Sequence, residues 1–159
     1  MTERETRTQW FTEARFGMFI HWGLYAIPGR GEWYMSEAKI PAEQYERYMQ
    51  EFSAKAYDPR DWARRAKRAG MQYVVLTAKH HDGFCLWPTK TTEYCVRNSP
   101  WKNGRGDVVK EFVEACRRHG IKPGLYFSPN YNGHEIFQPK DRPVEWGKVW
   151  DSITNLRWQ

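Results

Sequence analysis

Apolar and polar residues are grouped along the chain in two repeating patterns, and their order predicts the fold. Three short runs rich in apolar, β-branched and aromatic residues, at 16–23, 73–77 and 121–128, have the length and composition of β-strands. Between them lie segments with apolar residues every three or four positions, which is the spacing of an amphipathic helix. Strands that alternate with helices form parallel sheets with right-handed crossovers, so the pattern predicts an α/β protein.

The helical segments have recognisable beginnings and ends. Helices are predicted over 1–14, 42–52, 61–70 and 107–120. Asp61 and Asp107 can cap the third and fourth of these helices. Gly70 and Gly120 can end them.

The remaining segments are predicted loops, and the pattern weakens toward the end of the chain. Gly, Pro, Thr and Asn are dense at 24–35 and 85–106. Beyond residue 128 there is helical spacing at 144–158 and a short apolar stub at 135–137, but no clear fourth strand. Each strand-to-strand unit takes roughly 50 residues, whereas a complete (β/α)8 barrel needs about 250. We therefore expect one incomplete domain over 1–159.

Polar residues stand where each predicted strand ends. His21 lies near the end of the first run, and Lys79-His80-His81-Asp82-Gly83-Phe84 follows the second. In β/α barrels and in doubly wound sheets alike, chemistry gathers at the carboxyl ends of parallel strands. Adjacent histidines on a continuing strand would point to opposite faces. The Asp-Gly pair predicts a turn that could bring both histidines to one side.

Composition narrows the classes of function. The net charge is +6, but the basic residues are spread through helix-like stretches, which favours solvated helix faces over a nucleic-acid site. Cys85, Cys95 and Cys116 have no metal-binding spacing, and an odd count argues against a disulfide framework. No apolar run reaches the ~20 residues that span a bilayer. The charged N-terminus has no signal-peptide core, so we expect a cytoplasmic protein unless a signal has been removed.

Two kinds of site fit the polar residues, a metal centre and a sugar pocket. His and Asp are good ligands for zinc or manganese, but adjacent histidines rarely bind one ion and no HxH or HExxH spacing occurs, so metal is the weaker alternative and no cofactor is expected. Neutral His, Trp, Glu and Tyr offer the mixed donors and acceptors that sugar hydroxyls need. Glu32, Trp33 and Trp87 add a carboxylate and flat apolar faces, although ordinary loop packing would use the same residues.

Four motifs in this order resemble a known family. They are FGMFIHWG at 16–23, GEWY at 31–34, KHHDGFCLW at 79–87 and GLYFSP at 124–129. Together they resemble the N-terminal half of the α-L-fucosidases of glycoside hydrolase family 29, over about residues 9–130. The stretch at 102–112 also looks like this family. With Ser128-Pro129, it leans toward the branch that prefers α-1,3/1,4-linked fucose in Lewis-type glycans.

The resemblance implies a fold, an activity and a set of site residues. The fold would be a partial (β/α)8 TIM-like barrel, with the first three to four βα units and parallel strands. The activity would be retaining exo-hydrolysis of terminal fucose from oligosaccharides or glycoconjugates, with no nucleic-acid or membrane partner. The implied substrate-binding residues are His21, Glu32, Trp33, His80, His81 and Tyr126. Trp87 remains a further candidate, as a stacking face for the sugar. The histidines would hydrogen-bond fucose hydroxyls, and Trp33 would pack near the C5 methyl group.

The resemblance does not supply the catalytic carboxylates. A retaining glycosidase needs two carboxyl groups about 5–5.5 Å apart. The family nucleophile is an Asp in a Trp-Phe-Asp-Gly-like motif ending strand four, and this motif is absent, as though the chain were internally shortened. Asp141 is a weak candidate, and the family acid/base lies in a later segment that is also absent. The chain would then be a truncated, gapped or partner-completed fucosidase, with a non-catalytic fucose-binding or scaffold protein as the alternative. The open sheet edges of a half barrel predict self-association or a completing chain.

Overall fold

The computed structural model describes residues 2–128. Within them, three strands alternate with helices in the order that the sequence predicts, which confirms the α/β class. The helices and strands are α1 Glu3–Ala14, β1 Gly17–Ile20, α2 Tyr34–Glu37, α3 Ala42–Tyr45, α4 Tyr48–Glu51, α5 Pro59–Arg68, β2 Tyr73–Lys79, α6 Val108–Arg118 and β3 Lys122–Phe127. Three 3₁₀ turns, at Leu24–Ala26, Val96–Asn98 and Trp101–Gly104, lie in the loops.

The three strands form one parallel sheet in the order β1-β2-β3. β1 pairs with β2 from Gly17 opposite Tyr73 to Ile20 opposite Leu76. Gly17 is needed there because a Cβ at this position would lie 2.4 Å from the Tyr73 ring. Since all three strands run the same way, the residues that follow them meet at a single edge of the sheet.

The strand boundaries differ from those predicted, and the difference matters for the site. β1 ends at Ile20, so His21 and Trp22 lie outside the ladder although the apolar run continues through them. β2 extends two residues beyond Thr77, to Lys79, with an irregular register between Thr77 and Lys79. Hydropathy alone therefore places the end of the first strand too late and that of the second too early.

The hydrophobic core lies between the sheet and the helices that follow β1 and β2. α6 packs against β2 and β3 and lies beside α5. Its buried face consists of Val108, Val109, Phe112, Ala115 and Cys116. The helical spacing predicts four of these residues and also Val113, which is only half-buried. Phe112 is fully buried, as is Leu76 on the facing strand β2. This packing fixes the position of β2, and the histidine pair follows directly after this strand.

Two predicted helices need correction. The segment 42–52 contains two short helices, α3 and α4, because the amides of Met49 and Gln50 bond three residues back instead of four, which interrupts the α-helical ladder. α5 begins at Pro59 with Asp58 as its N-cap, so the prediction that Asp61 caps this helix was wrong. Asp61 lies in the first turn and pairs with Arg64 and Arg65. Asp107 does cap α6, by accepting from the amide of Lys110 at 2.8 Å.

The corrected cap gives a testable difference between two neighbouring aspartates. Asp58 Oδ1 accepts from the amides of Arg60 and Asp61, both at 3.0 Å, and Pro59 stands in the first helical position. We expect Asp58→Ala to lower the free energy of unfolding by about 1 kcal/mol. Asp61→Ala is the matched control and should cost less, because its ion pairs are exposed to solvent. Urea unfolding of both variants measures this, and an equal or larger loss for Asp61→Ala would contradict the assignment of the cap.

Cys85, Cys95 and Cys116 are buried free thiols. Among residues 2–128, no helix combines the length and apolar character needed to cross a membrane.

Candidate functional site

Four of the predicted site residues meet at the carboxyl edge of the sheet. His21 follows β1, His80 and His81 follow β2, and Tyr126 lies one residue before the end of β3. They come from three separate stretches of sequence, and the parallel arrangement of the strands brings them together.

His80 is the centre of this cluster. Its side chain is 4% exposed, and its Nδ1 has no hydrogen-bond partner among residues 2–128. Five rings surround it, with centroid distances of 5.4 Å to His21, 5.5 Å to Tyr25, 5.9 Å to Trp33, 4.4 Å to His81 and 5.8 Å to Tyr126. A buried polar atom without a partner is costly, so the site is suited to a ligand that hydrogen-bonds this imidazole.

A tight turn places both histidines on one side of the sheet edge. The amide of Gly83 donates to the carbonyl of His80 at 3.1 Å, and Gly83 adopts a φ of +84°, which favours glycine. Asp82 Oδ1 accepts from the amide of Phe84 at 3.3 Å, and this bond stabilises the turn. The two rings therefore lie beside each other, which the alternation of a continuing strand would have prevented.

The third strand holds His81 in place. His81 Nδ1 lies 2.8 Å from the hydroxyl of Ser128. The amide of Ser128 donates to the carbonyl of Lys79 at 3.1 Å, and Lys79 Nζ donates to the carbonyl of Ser128 at 3.0 Å. These bonds continue the β2–β3 pairing past the end of the ladder.

Trp33 and Glu32 reach the histidines from the loop before α2. The Trp33 ring lies 4.8 Å from His81 and is 43% exposed, so it offers an apolar face at the mouth of the site. Glu32 is half-buried, and its negative charge acts on both His80 and Tyr25. The carboxylate is therefore close enough to influence the protonation of the central histidine.

Burial determines the charge state of His80. Burial, followed by the neighbouring His81 and His21, lowers the pKa of His80 to about 4, and Glu32 opposes the shift. The imidazole is therefore neutral near pH 7. A neutral imidazole has one N–H donor and one acceptor nitrogen, which matches a hydroxyl group that both gives and receives a hydrogen bond.

Asp82 lies beneath the turn and is 5% exposed. Burial raises the pKa of Asp82 to about 7, against the opposing effects of the Phe84 amide and of Lys79. Its second oxygen, Oδ2, has no hydrogen-bond partner among residues 2–128. Asp82 supports the turn and is not available at the surface of the site.

Trp87 does not join the cluster. Its ring packs against Phe127, with centroids 6.1 Å apart, and not against the histidine rings. Phe127 follows Tyr126 directly on β3, so its side chain points to the opposite face of the sheet. The other outlying candidate, Asp141, lies outside the described residues.

Sequence reasoning missed two residues of the site. Tyr25 is buried in the 3₁₀ turn after β1, and its ring contacts His80. Thr77 is buried within β2, and its hydroxyl bonds to Tyr25 at 2.9 Å. The apolar run 73–77 shows Thr77 only as a β-branched strand residue. A hydroxyl within an otherwise apolar run was the available signal, because a buried hydroxyl needs a partner.

Among residues 2–128, no group of three or more His, Cys, Asp or Glu side chains is placed to hold an ion. The ring of His80 contacts those of His81 and His21, with centroids 4.4 and 5.4 Å apart.

The fold and site define an α/β protein with an aromatic and histidine-rich polar site at the carboxyl edge of a parallel sheet. A family model described as α-L-fucosidase matches residues 1–152. The chain therefore belongs to the α-L-fucosidase family.

Individual relatives agree with this membership. The putative α-L-fucosidase 1 of Oryza sativa subsp. japonica is 56% identical over 110 residues, covering 62% of this chain and 21% of the relative. The solved structure of α-L-fucosidase isoenzyme 1 from Paenibacillus thiaminolyticus is similar with a TM-score of 0.76 and 44% identity, covering 96% of this chain and 39% of that one. The α-fucosidase of Thermotoga maritima, solved in complex with fucose, has a TM-score of 0.68 and 35% identity, covering 76% and 34%. The chain spans roughly a fifth to two fifths of the length of these relatives.

Proposed function

We propose that the described residues form the fucose-binding part of a retaining exo-α-L-fucosidase that releases terminal fucose from glycans. The observation that carries this proposal is the neutral, buried imidazole of His80 within a ring of aromatic and histidine side chains. The solved Thermotoga maritima relative contains fucose, which supports the choice of sugar.

Each part of the site has a task in this proposal. His21, His80 and His81 hydrogen-bond the hydroxyls of the sugar, and Glu32 accepts from a further hydroxyl. The exposed face of Trp33 packs against the C5 methyl group, which distinguishes fucose from sugars with a polar substituent at C5. Tyr126 closes the site from β3.

Hydrolysis with retention needs a nucleophile and an acid/base, each a carboxyl group. Asp82 is buried beneath the turn, and we assign Glu32 to sugar binding. The Trp-Phe-Asp-Gly-like motif of the family nucleophile is also absent from residues 2–128, so we place both catalytic carboxylates outside them. The three parallel strands would then be the first strands of a (β/α)8 barrel, with the remaining strands pairing to the outer edges of β1 and β3.

Binding and turnover test this function separately. We expect calorimetry to show millimolar binding of L-fucose by the full chain, and no binding of D-mannose as the control sugar. Release of 4-nitrophenol from its α-L-fucoside across a pH range would show that the chain carries the catalytic carboxylates itself. Binding without turnover would favour the non-catalytic fucose-binding alternative for the isolated chain. Absence of heat with L-fucose and absence of turnover together would overturn the proposal.

The linkage preference is a finer part of the same proposal. The stretch at 102–112 and Ser128-Pro129 favour α-1,3/1,4-linked fucose of the Lewis type. Lewis-type trisaccharides should therefore bind more tightly than 2′-fucosyllactose, in which fucose is α-1,2-linked. The same calorimeter measures both, and tighter binding of the α-1,2-linked sugar would overturn this preference.

A further inference from the structure

The hydroxyl of Thr77 occupies an unusual position in β2. The side chain is 1% exposed and stands between Leu76, the last residue of β2 paired with β1, and the histidine turn. Where the β1–β2 ladder ends at Ile20, this hydroxyl provides the next connection between the two strands. Trp22 N donates to Thr77 Oγ1 at 3.1 Å, and the carbonyl of Trp22 lies 3.1 Å from the same oxygen.

A second contact ties the hydroxyl to the aromatic ring that packs on His80. Tyr25 Oη lies 2.9 Å from Thr77 Oγ1. A threonine hydroxyl has one proton to donate and two lone pairs to accept with. It is fully satisfied when it donates to the Trp22 carbonyl at 3.1 Å, which is nearer than the Ile20 carbonyl at 3.4 Å, and accepts from the Trp22 amide and the Tyr25 phenol. Burial raises the pKa of Tyr25 well above its usual range, so the phenol keeps its proton for this bond.

These contacts fix two of the five rings around His80. The bonds to Trp22 hold the backbone next to His21, whose ring stacks on Phe19 at 4.7 Å and meets His80 edge-on at 5.4 Å. The bond to Tyr25 holds a ring that meets His80 edge-on at 5.5 Å. His21 is exposed and lies outside the ladder, so strand pairing does not set its position.

We propose that Thr77 is a positioning residue of the sugar site, which sets the placement of His21 and Tyr25 around His80 through three hydrogen bonds of its hydroxyl. This inference rests on the proposed fucose-binding function. Thr77 does not touch the sugar in it. Its effect reaches the ligand through the two rings that it holds.

Removing the hydroxyl tests the inference. Thr77→Val keeps the shape and β-branching of the side chain and leaves the Trp22 amide and Tyr25 phenol without their partner. We expect the Kd for L-fucose, measured by NMR titration of the full chain, to rise about tenfold. Thr77→Ser keeps the hydroxyl and should restore affinity to within about twofold.

A matched control separates positioning from general loss of a buried hydroxyl. Thr89 is also buried, at 3% exposed, and its hydroxyl bonds to Thr91 at 2.9 Å in the loop after β2. Thr89→Val should leave the affinity unchanged. The imidazole resonances of His21 and His80 should shift in Thr77→Val and stay in place in Thr89→Val, an effect that loss of stability alone would not produce.

Tyr25→Phe provides a second variant with little risk of unfolding. It removes one bond of the Thr77 hydroxyl and leaves the strand and the ring intact. We expect a twofold to threefold weaker affinity and shifted His80 resonances.

The outcomes separate this inference from the function on which it rests. Absence of fucose binding by the unmodified chain would overturn the proposed function and this inference with it. Binding by the unmodified chain with unchanged affinity and His80 resonances in Tyr25→Phe, or unchanged affinity in a folded Thr77→Val, would overturn the inference alone. Equal losses in Thr77→Val and Thr89→Val would do the same.

Discussion

Replacing His80 with alanine should weaken fucose binding about 100-fold, which takes a millimolar affinity out of the range of calorimetry. The reason is that His80 is the one ring in contact with all five other rings of the site. Its loss would leave the sugar hydroxyl that it binds without a partner and would open a void among the remaining rings. Titration calorimetry with L-fucose at pH 7 measures the effect.

Two further variants serve as controls for this result. His119 ends α6, at the opposite edge of the sheet from the site, so His119→Ala should bind fucose like the unmodified chain. His80→Phe keeps an aromatic ring of similar size and removes both nitrogens. We expect it to bind as poorly as His80→Ala. Retained binding in His80→Phe would show that the ring serves packing alone, contrary to the proposed hydrogen bonding.

The sequence was sufficient to predict the sheet and most of the site, because both depend on local patterns. Three apolar runs and the helices between them imply parallel strands, and parallel strands bring His21, His80 and Tyr126 to one edge. The histidine pair needed one further signal, the Asp-Gly turn, and the structure has this turn with Gly83 at positive φ. These features follow from hydropathy and from backbone conformational preference.

Other features depend on long-range contacts that no local pattern contains. Trp87 stands in the same motif as the histidines, yet its ring packs on Phe127 because of the way the loop folds back on β3. Thr77 joins the site through hydrogen bonds to Tyr25 and Trp22, which precede it by 52 and 55 positions in the sequence. Asp58 and Asp61 are both reasonable caps by composition, and the actual backbone conformation before Pro59 selects Asp58.

The two buried titratable groups of the turn, His80 and Asp82, change the stability of the fold with pH in opposite directions. His80 has a folded-state pKa below its unfolded value, so the unfolded chain binds more protons there and His80 destabilises the fold as the pH falls from about 6.5 toward 4. Asp82 has a folded-state pKa above its unfolded value, so the unfolded chain releases its proton first. The contribution of Asp82 is present in full below about pH 4 and is lost as the pH rises toward 7. The two groups therefore destabilise the fold least when both side chains are neutral.

Asp82→Asn should make the protein more stable than the unmodified chain at pH 8, by about 4 kcal/mol. Asparagine keeps the oxygen that accepts from the Phe84 amide, and it removes the burial of a negative charge that Lys79 offsets only in part. The advantage should vanish near pH 4, where the native carboxyl is already protonated. Urea unfolding of both proteins at pH 4, 6 and 8 measures the difference.

A matched substitution tests whether burial is the cause. Glu93 is an exposed carboxylate paired with Arg97, so burial has little effect on it, and Glu93→Gln should show no gain in stability at pH 8. A gain for Asp82→Asn that is equal at all three pH values would mean that the amide improves packing or hydrogen bonding instead of removing a buried charge. A loss of stability at pH 8 would mean that ionised Asp82 is stabilised by Lys79 more than burial destabilises it, and would reverse the proposed charge state of the turn.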